Sequence, residues 1–296
     1  MADIARFKAI RPIRDKVHLV ATRPYYSYKK NVLKAKLQDN PYTFLRIINP
    51  EFNSPVKTKA NSDRRFKLVS QRYHEFIEKN ILIQDQQAKL YLYRQSKGEK
   101  SSVGVIGGAS VKEYLNDDIK RHEATLTSRE EIFTRYLDIV GYNAEPVLIS
   151  YKGNSDINSF ISDLVGSRPE YEFSTTDLIK HELWILEDDE ADKFEQLFKQ
   201  IPCTYIADGH HRSASSARLF ESGKNKSFNA RYFLSYFVEE DQLQILEFNR
   251  LVKSLNGLSK NEFIDRVREI GELKKLDNIK KPGHQNKIHF YIDQDW

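Results

Sequence analysis

Tyr205-Ile206-Ala207-Asp208-Gly209-His210-His211-Arg212 reads as a short apolar strand that turns directly into a helix. A strand entering a helix through Asp-Gly leaves the first helical N–H groups without acceptors. Those donors and the positive end of the helix dipole together make an anion site, suited to a nucleotide phosphate. Gly209 removes the Cβ that would block close approach of a phosphate. His211 and Arg212 add side-chain donors, and an arginine fork can grip two phosphate oxygens at once. Asp208 can hold a hydroxyl or a metal-bound water. The plainer reading is an N-cap aspartate followed by surface histidines. Two imidazoles set between Gly and Arg after an apolar strand favour the ligand site. Neighbouring helical residues project in different directions, so His210 and His211 make a poor pair for one zinc ion. Cys203 is the single cysteine, which rules out an internal disulfide and a cysteine metal cage. No metal held directly by a protein cage is expected.

Outward from the turn, the pattern alternates. Downstream, the spacing predicts a helix over 211–220, ended by Gly223, then strands over 232–238 and 243–248 around a polar turn. Upstream lie strand signals at Pro146–Ser150 and His181–Leu186, and helices from Thr127-Ser128 to Val140 and from Asp189 onward. In the first hundred residues, Leu19–Ala21 and Phe44–Ile48 read as strands. Phe66, Val69, Tyr73, Phe76 and Ile77 form a helical stripe over 63–79. Lys89–Tyr93 and Ser102–Ile106 flank a Ser-Lys-Gly-Glu turn and predict a hairpin, with Gly107-Gly108 as a tight turn closing that block. Lys287–Ile292 reads as a final strand. A strand needs partners, so the natural protein is expected to continue beyond 296.

The resulting class is α+β. The expected organisation is a mixed-sheet α/β domain over 1–110, a core over 111–256 with an insert around 151–200, and the start of a further region over 257–296. Composition fits a globular chain: 40% hydrophobic and 30% charged residues, with 47 basic against 42 acidic groups and a net charge of +5. That mild surplus suits small anionic ligands and does not by itself call for a DNA-binding surface. No stretch nears the roughly 18 apolar residues of a membrane span, and the charged N-terminus has no signal-peptide pattern. A cytoplasmic protein without a membrane partner is expected.

Asp-Gly-His-His-Arg after an apolar strand resembles the motif of the free serine kinases of the ParB/sulfiredoxin superfamily. It also resembles that of a family of longer, poorly characterised bacterial and archaeal proteins. Phe7–Pro12, Arg23-Pro24-Tyr25, Ile119–Glu123 with Thr125, Glu145-Pro146-Val147, His181 with Trp184, Ala207–Arg212 and Asn249-Arg250 carry the likeness to the longer family. The likeness to the kinases is shorter but ordered: His122-Glu123, a helix, Pro146–Ile149, then Asp208–Arg212. It implies a ParB/sulfiredoxin-like core, Glu123 as general base on a substrate hydroxyl, and a turn that binds phosphates. By the same resemblance Asp208 and His211 join Glu123 as catalytic candidates, with Gly209, His210, His211 and Arg212 holding the nucleotide. Asp208 lies 58 positions after Ser150, a longer insert than the small kinases have, which leaves the acceptor open. Sulfiredoxin chemistry needs a cysteine where His210 stands, and ParB proteins carry a different turn and a following helix-turn-helix. The first absence argues against sulfur chemistry, and the second against a nucleic-acid partner of ParB type.

The expected activity is nucleotide-dependent phosphoryl transfer to the hydroxyl of a small metabolite, free serine among the candidates, using ATP or ADP and Mg²⁺. The alternative is a regulatory protein that binds a nucleotide or phosphometabolite without chemistry. Arg23, His122, His181 and Arg250 are further substrate-contact candidates, each with an ordinary surface or core role as the plain alternative. Trp184 is expected in the core. No P-loop pattern is present.

Overall fold

The computed structural model describes residues 2–224, 227–243, 249–278 and 287–293. The chain divides into two compact units, 1–243 and 244–296. Strands are β1 (Ile4–Ala5), β2 (Ile10–Pro12), β3 (Leu82–Gln84), β4 (Tyr91–Lys97), β5 (Lys100–Ser110), β6 (Ile119–Lys120), β7 (Val147–Tyr151), β8 (Tyr171–Ser174), β9 (Lys180–Ile185), β10 (Thr204–Asp208) and β11 (Tyr232–Glu239). Helices are α1 (Val17–Val20), α2 (Lys30–Asp39), α3 (Leu45–Ile48), α4 (Asp63–Glu78), α5 (Val111–Leu115), α6 (Thr127–Val140), α7 (Ser155–Val165), α8 (Asp188–Phe198), α9 (His210–Glu221) and α10 (Lys260–Ile270).

The class is α+β. Nine strands form one mixed sheet in the order β6-β10-β7-β11-β5-β4-β9-β8, with β1 paired to β5; β2 and β3 form a separate pair. One sheet thus takes strands from both sides of residue 110. The boundary between compact units falls at 243/244.

A single apolar row crosses the sheet. Trp184, Leu92, Val105, Phe237, Ile149 and Ile206 lie in register on six successive strands, and all six are buried. Residues opposite one another share a face, so the row presents one continuous surface. From α8, Phe198 packs edge-on to Phe237 at 5.1 Å between ring centroids and to Tyr151 at 5.5 Å. With the inner faces of α7, α5 and α9 this makes the main core. A second core gathers Val20, Ile47, Phe66, Val69, Tyr73 and Phe76, with Val140 of α6. The stripe expected over 63–79 is that buried face of α4, capped by the Ser62 hydroxyl, which accepts from the Arg65 N–H.

The two early strands expected at 19–21 and 44–48 are helical turns. Leu19 and Val20 lie in α1, and Leu45–Ile48 is α3. Their backbone groups are satisfied locally rather than by a ladder: Asn40 Nδ2 donates to the Leu19 carbonyl at 2.7 Å, and the Phe44 N–H to that of Val20 at 3.1 Å. Burial of apolar side chains in the second core outweighed a strand-like composition. Gly107-Gly108 is not a turn but lies inside β5. A Cβ on Gly107 would meet Ile4 at 2.6 Å, and one on Gly108 would meet the Tyr232 Cβ at 2.9 Å. These glycines admit the neighbouring β1 and β11 strands.

Helix α6 has Leu126 at its N-cap and so no side-chain cap, since leucine carries no acceptor; the Thr125 hydroxyl before it donates to Glu130. In the expected strand 243–248, residues 244–248 lie outside the described residues. No strand forms over 287–292; Ile292 alone carries a bridge. In the second unit, α10 opens with a capping box in which Glu262 accepts from the Ser259 N–H at 2.8 Å. No helix among the described residues is long and apolar enough to cross a membrane.

Gly104 tests the packing of the central strands. A Cβ there would sit 2.2 Å from the Phe237 carbonyl oxygen, a backbone atom that cannot move without opening the ladder. Gly104→Ala is expected to lower unfolding stability by about 2–3 kcal/mol, measured by urea titration, whereas Gly98→Ala, which meets no atom within 4 Å but sits at φ +59°, carries only the smaller cost of that left-handed conformation, about 1 kcal/mol.

Candidate functional site

Strands β6 and β10 are parallel, with Thr204 opposite Ile119 and Tyr205 opposite Lys120. Parallel neighbours end on the same side of the sheet, so whatever follows each strand meets whatever follows the other. His122-Glu123 follows β6; Gly209-His210 follows β10. The result is a cluster. The His122 and His210 rings stand edge to face at 4.4 Å, and a Glu123 carboxylate oxygen lies 3.6 Å from His210 Nδ1. The His122 N–H approaches His210 Nε2 at 3.5 Å. That acceptor role assigns the His210 proton to Nδ1, facing Glu123.

Before the turn, β10 slips by one residue against β7: Ile206 pairs with Ile149, and Asp208 with Leu148. This bulge at Ala207 re-aims the strand end and leaves the Asp208 side chain 71% exposed. Gly209 then takes φ +103°, the left-handed region that favours glycine. At the start of α9, the Arg212 and Ser213 N–H groups donate to the Gly209 carbonyl at 2.9 and 3.1 Å. The N–H groups of His210 and His211 come earlier and have no helical acceptor.

Arg212 departs from the expectation of an open phosphate grip. One terminal nitrogen donates to Asp208 at 2.5 Å and the other to the Pro146 carbonyl. The guanidinium lies against Gly209, where a Cβ would meet it at 3.1–3.2 Å. Arg212 braces the turn to the start of β7. Behind the turn, the buried Ser213, Ser215 and Ser216 return their hydroxyls to the carbonyls of His210, His211 and Arg212. These small side chains let α9 lie close to α6, where Thr134 donates to the Ser215 carbonyl at 3.3 Å.

Charge and burial differ sharply within the cluster. Burial holds His210, 5% exposed, below the ordinary histidine value, assisted by His122 and opposed by Glu123 and Asp208. Glu123 is 70% exposed and free to meet a ligand. His211 Nδ1 is buried without a partner, and its ring faces Phe133 of α6 at 6.5 Å.

Arg23 and His181 belong elsewhere. Strand β9 lies five places from β10, roughly 24 Å across the sheet at about 4.8 Å per strand. There Tyr93 OH contacts His181 Nδ1 at 2.6 Å and Phe173 stacks on its ring at 5.0 Å. Arg23 pairs with Asp177 at 3.4 Å in the same region. Trp184 is core, as expected, its Nε1–H donating to the Ser167 carbonyl at 2.9 Å. Arg250 lies in the second unit. Lys120 and Arg121, though adjacent to the cluster in sequence, turn toward Asp117. The bulge at Ala207 and the Pro146 carbonyl were not foreseen; Glu145-Pro146-Val147 was visible as a motif, but the role of its carbonyl was not.

A family profile described as "Protein of unknown function (DUF1015)" matches residues 4–296. The chain belongs to this family. No curated protein and no solved structure matches it. The cluster offers an imidazole held toward its neutral form, an exposed carboxylate beside it, and a glycine turn whose first amides have no helical acceptor.

Two measurements probe the turn. Gly209→Ala is expected to cost about 1–2 kcal/mol because an alanine resists the left-handed conformation, and its Cβ would press on Arg212. His210 links stability to pH. Its folded pKa is depressed, so its contribution is complete above the unfolded value of about 6.5 and declines as pH falls through it toward the lower folded value. His210→Gln is expected to flatten the loss of stability between pH 7 and 5 (about the histidine range), followed by urea unfolding across that window.

Proposed function

We propose that this protein transfers a phosphoryl group from ATP or ADP to the hydroxyl of a small metabolite. The reading is carried by one observation: the exposed Glu123 carboxylate and the Gly209 turn lie at one end of the sheet, where a Glu123 oxygen stands 3.6 Å from the His210 ring Nδ1. The ordered likeness of His122-Glu123, Pro146–Ile149 and Asp208–Arg212 to the free serine kinases supports it, and would make the core ParB/sulfiredoxin-like. Residues 208–212 bind the terminal phosphates of the nucleotide through the His210 and His211 N–H groups.

Glu123 takes the proton of the acceptor hydroxyl as its oxygen attacks the terminal phosphorus. The bond from that phosphorus to the bridging oxygen breaks, and the shortened nucleotide leaves. His210 positions Glu123: its Nδ1–H faces the carboxylate, and burial keeps the ring neutral, so it orients the base without adding charge. Mg²⁺ would arrive on the nucleotide, where it offsets phosphate charge. Such an ion typically keeps several waters and takes one or two carboxylates, and the exposed Asp208 is the residue that would hold it.

A second reading follows from Arg212, whose fork is already engaged by Asp208 and Pro146: a regulatory module that senses a nucleotide without turning it over. Calorimetric titration of ATP and ADP with Mg²⁺, and phosphoryl-transfer assays with serine and related alcohols, separate the two. The expected outcome is nucleotide binding with turnover of at least one acceptor. Glu123→Gln should lower kcat by about 10²–10⁴-fold and leave nucleotide affinity within about threefold, since the lost group acts on the acceptor. Binding without turnover of any acceptor would favour the regulatory module. No nucleotide binding would end both readings.

A further inference from the structure

Charge is unevenly spread along the chain. Residues 1–80 hold 18 Lys and Arg against 7 Asp and Glu, whereas the remaining 216 residues hold 29 against 35. Part of the N-terminal excess is consumed in ion pairs. Arg6 meets Asp192 and Glu195, Arg11 meets Asp85 and Glu170, and Arg65 meets Glu51. A portion that is not consumed collects where the chain leaves Arg23 and enters α2.

Tyr25–Ser27 forms a short 3₁₀ turn after Pro24. Tyr25 is 55% and Tyr26 76% exposed, with ring centroids 5.7 Å apart and edge to face. Two such rings facing water on adjacent residues are a surface cost that packing does not explain. The turn is held from beneath by Tyr28. Its hydroxyl meets the Arg23 N–H at 3.1 Å and the Thr22 hydroxyl at 2.9 Å, and Arg23 and Lys36 lie against its ring. Beside the tyrosines stand the exposed Lys29, Lys30 and Lys34. Among the described residues, no acidic side chain pairs with these three. Lys30 and Lys34 project from one face of α2, about 6 Å apart along its axis. The helix buries only Leu37, so its sequence serves its outer surface more than its packing.

We infer that this face binds single-stranded nucleic acid, with bases stacked on Tyr25 and Tyr26 and phosphates on Lys29, Lys30 and Lys34. Lysines alone attract any polyanion. Open aromatic rings interleaved with them select one that has unpaired bases to stack. A duplex keeps its bases stacked on each other and offers none to the tyrosines. The surface is independent of the phosphotransfer reading. Arg23 ties it to Asp177 beside β8, at the opposite end of the sheet order from β10.

Fluorescence anisotropy with short labelled oligouridine and oligothymidine tests the inference. Binding at low salt is expected, with log K falling against log salt at a slope of about −2, as for three phosphate contacts on a single strand. Lys29→Glu/Lys30→Glu/Lys34→Glu should weaken binding by about tenfold or more and flatten that slope. Tyr25→Ala/Tyr26→Ala should weaken it by about fivefold or more while leaving the slope unchanged. Circular dichroism checks that each variant is folded; should the charge variant unfold, the tyrosine pair decides. Absence of binding at low salt would overturn the inference. So would indifference to the tyrosine change, equal affinity for a duplex of the same length, or capture by phosphatidylserine vesicles with no oligonucleotide bound.

Discussion

Ile206 is the last member of an apolar row that begins at Trp184 and passes through Leu92, Val105, Phe237 and Ile149. The position of the strand-to-helix turn depends on that row. Side chains alternate along a strand, so a one-residue slip of β10 would carry Ile206 out of the core and reverse everything after it. The row therefore sets the register of β10, and the bulge at Ala207 spends one residue beyond it to swing Asp208 outward. Phe198 and Phe194, both fully buried, back the row from α8 and hold it against sliding.

A second constraint acts sideways. Pairing β6 parallel to β10 is a long-range choice, since parallel partners cannot be joined by a hairpin. It joins two stretches some 88 positions apart, His122 and His210, into ring contact. The histidine so enclosed is kept uncharged by burial, while the carboxylate next to it stays in water. One side chain thus supplies shape and a directed proton, and the other supplies charge.

Much of this is legible in the sequence alone. The α4 stripe, the β4–β5 hairpin, β7, β9, β11 and α9 all announce themselves by period or by their turn residues. The turn at 208–210 does so through Asp-Gly, which leaves few backbone choices. What was illegible depended on neighbours. Leu19-Val20 and Leu45–Ile48 have strand-like composition and become helical because apolar surface from α4 waits beside them. Gly107-Gly108 resembles a turn, yet its purpose is to admit Ile4 and Tyr232. Motif order cannot report sheet order either: Arg23 and His181, named beside the turn residues as site candidates, lie near the far edge of the sheet. Nor could spacing reveal that Arg212 would fold back on Asp208 and the Pro146 carbonyl.

The brevity of β6 has a further consequence. Two residues, Ile119 and Lys120, tie the Glu123 segment to the sheet at its edge, whereas β10 is flanked on both sides and anchored by Ile206. An edge ladder this short opens at far lower free energy than the interior of the sheet. The two halves of the cluster therefore differ in rigidity. The glycine turn is the better anchored half of the cluster, and the glutamate segment the more weakly tied.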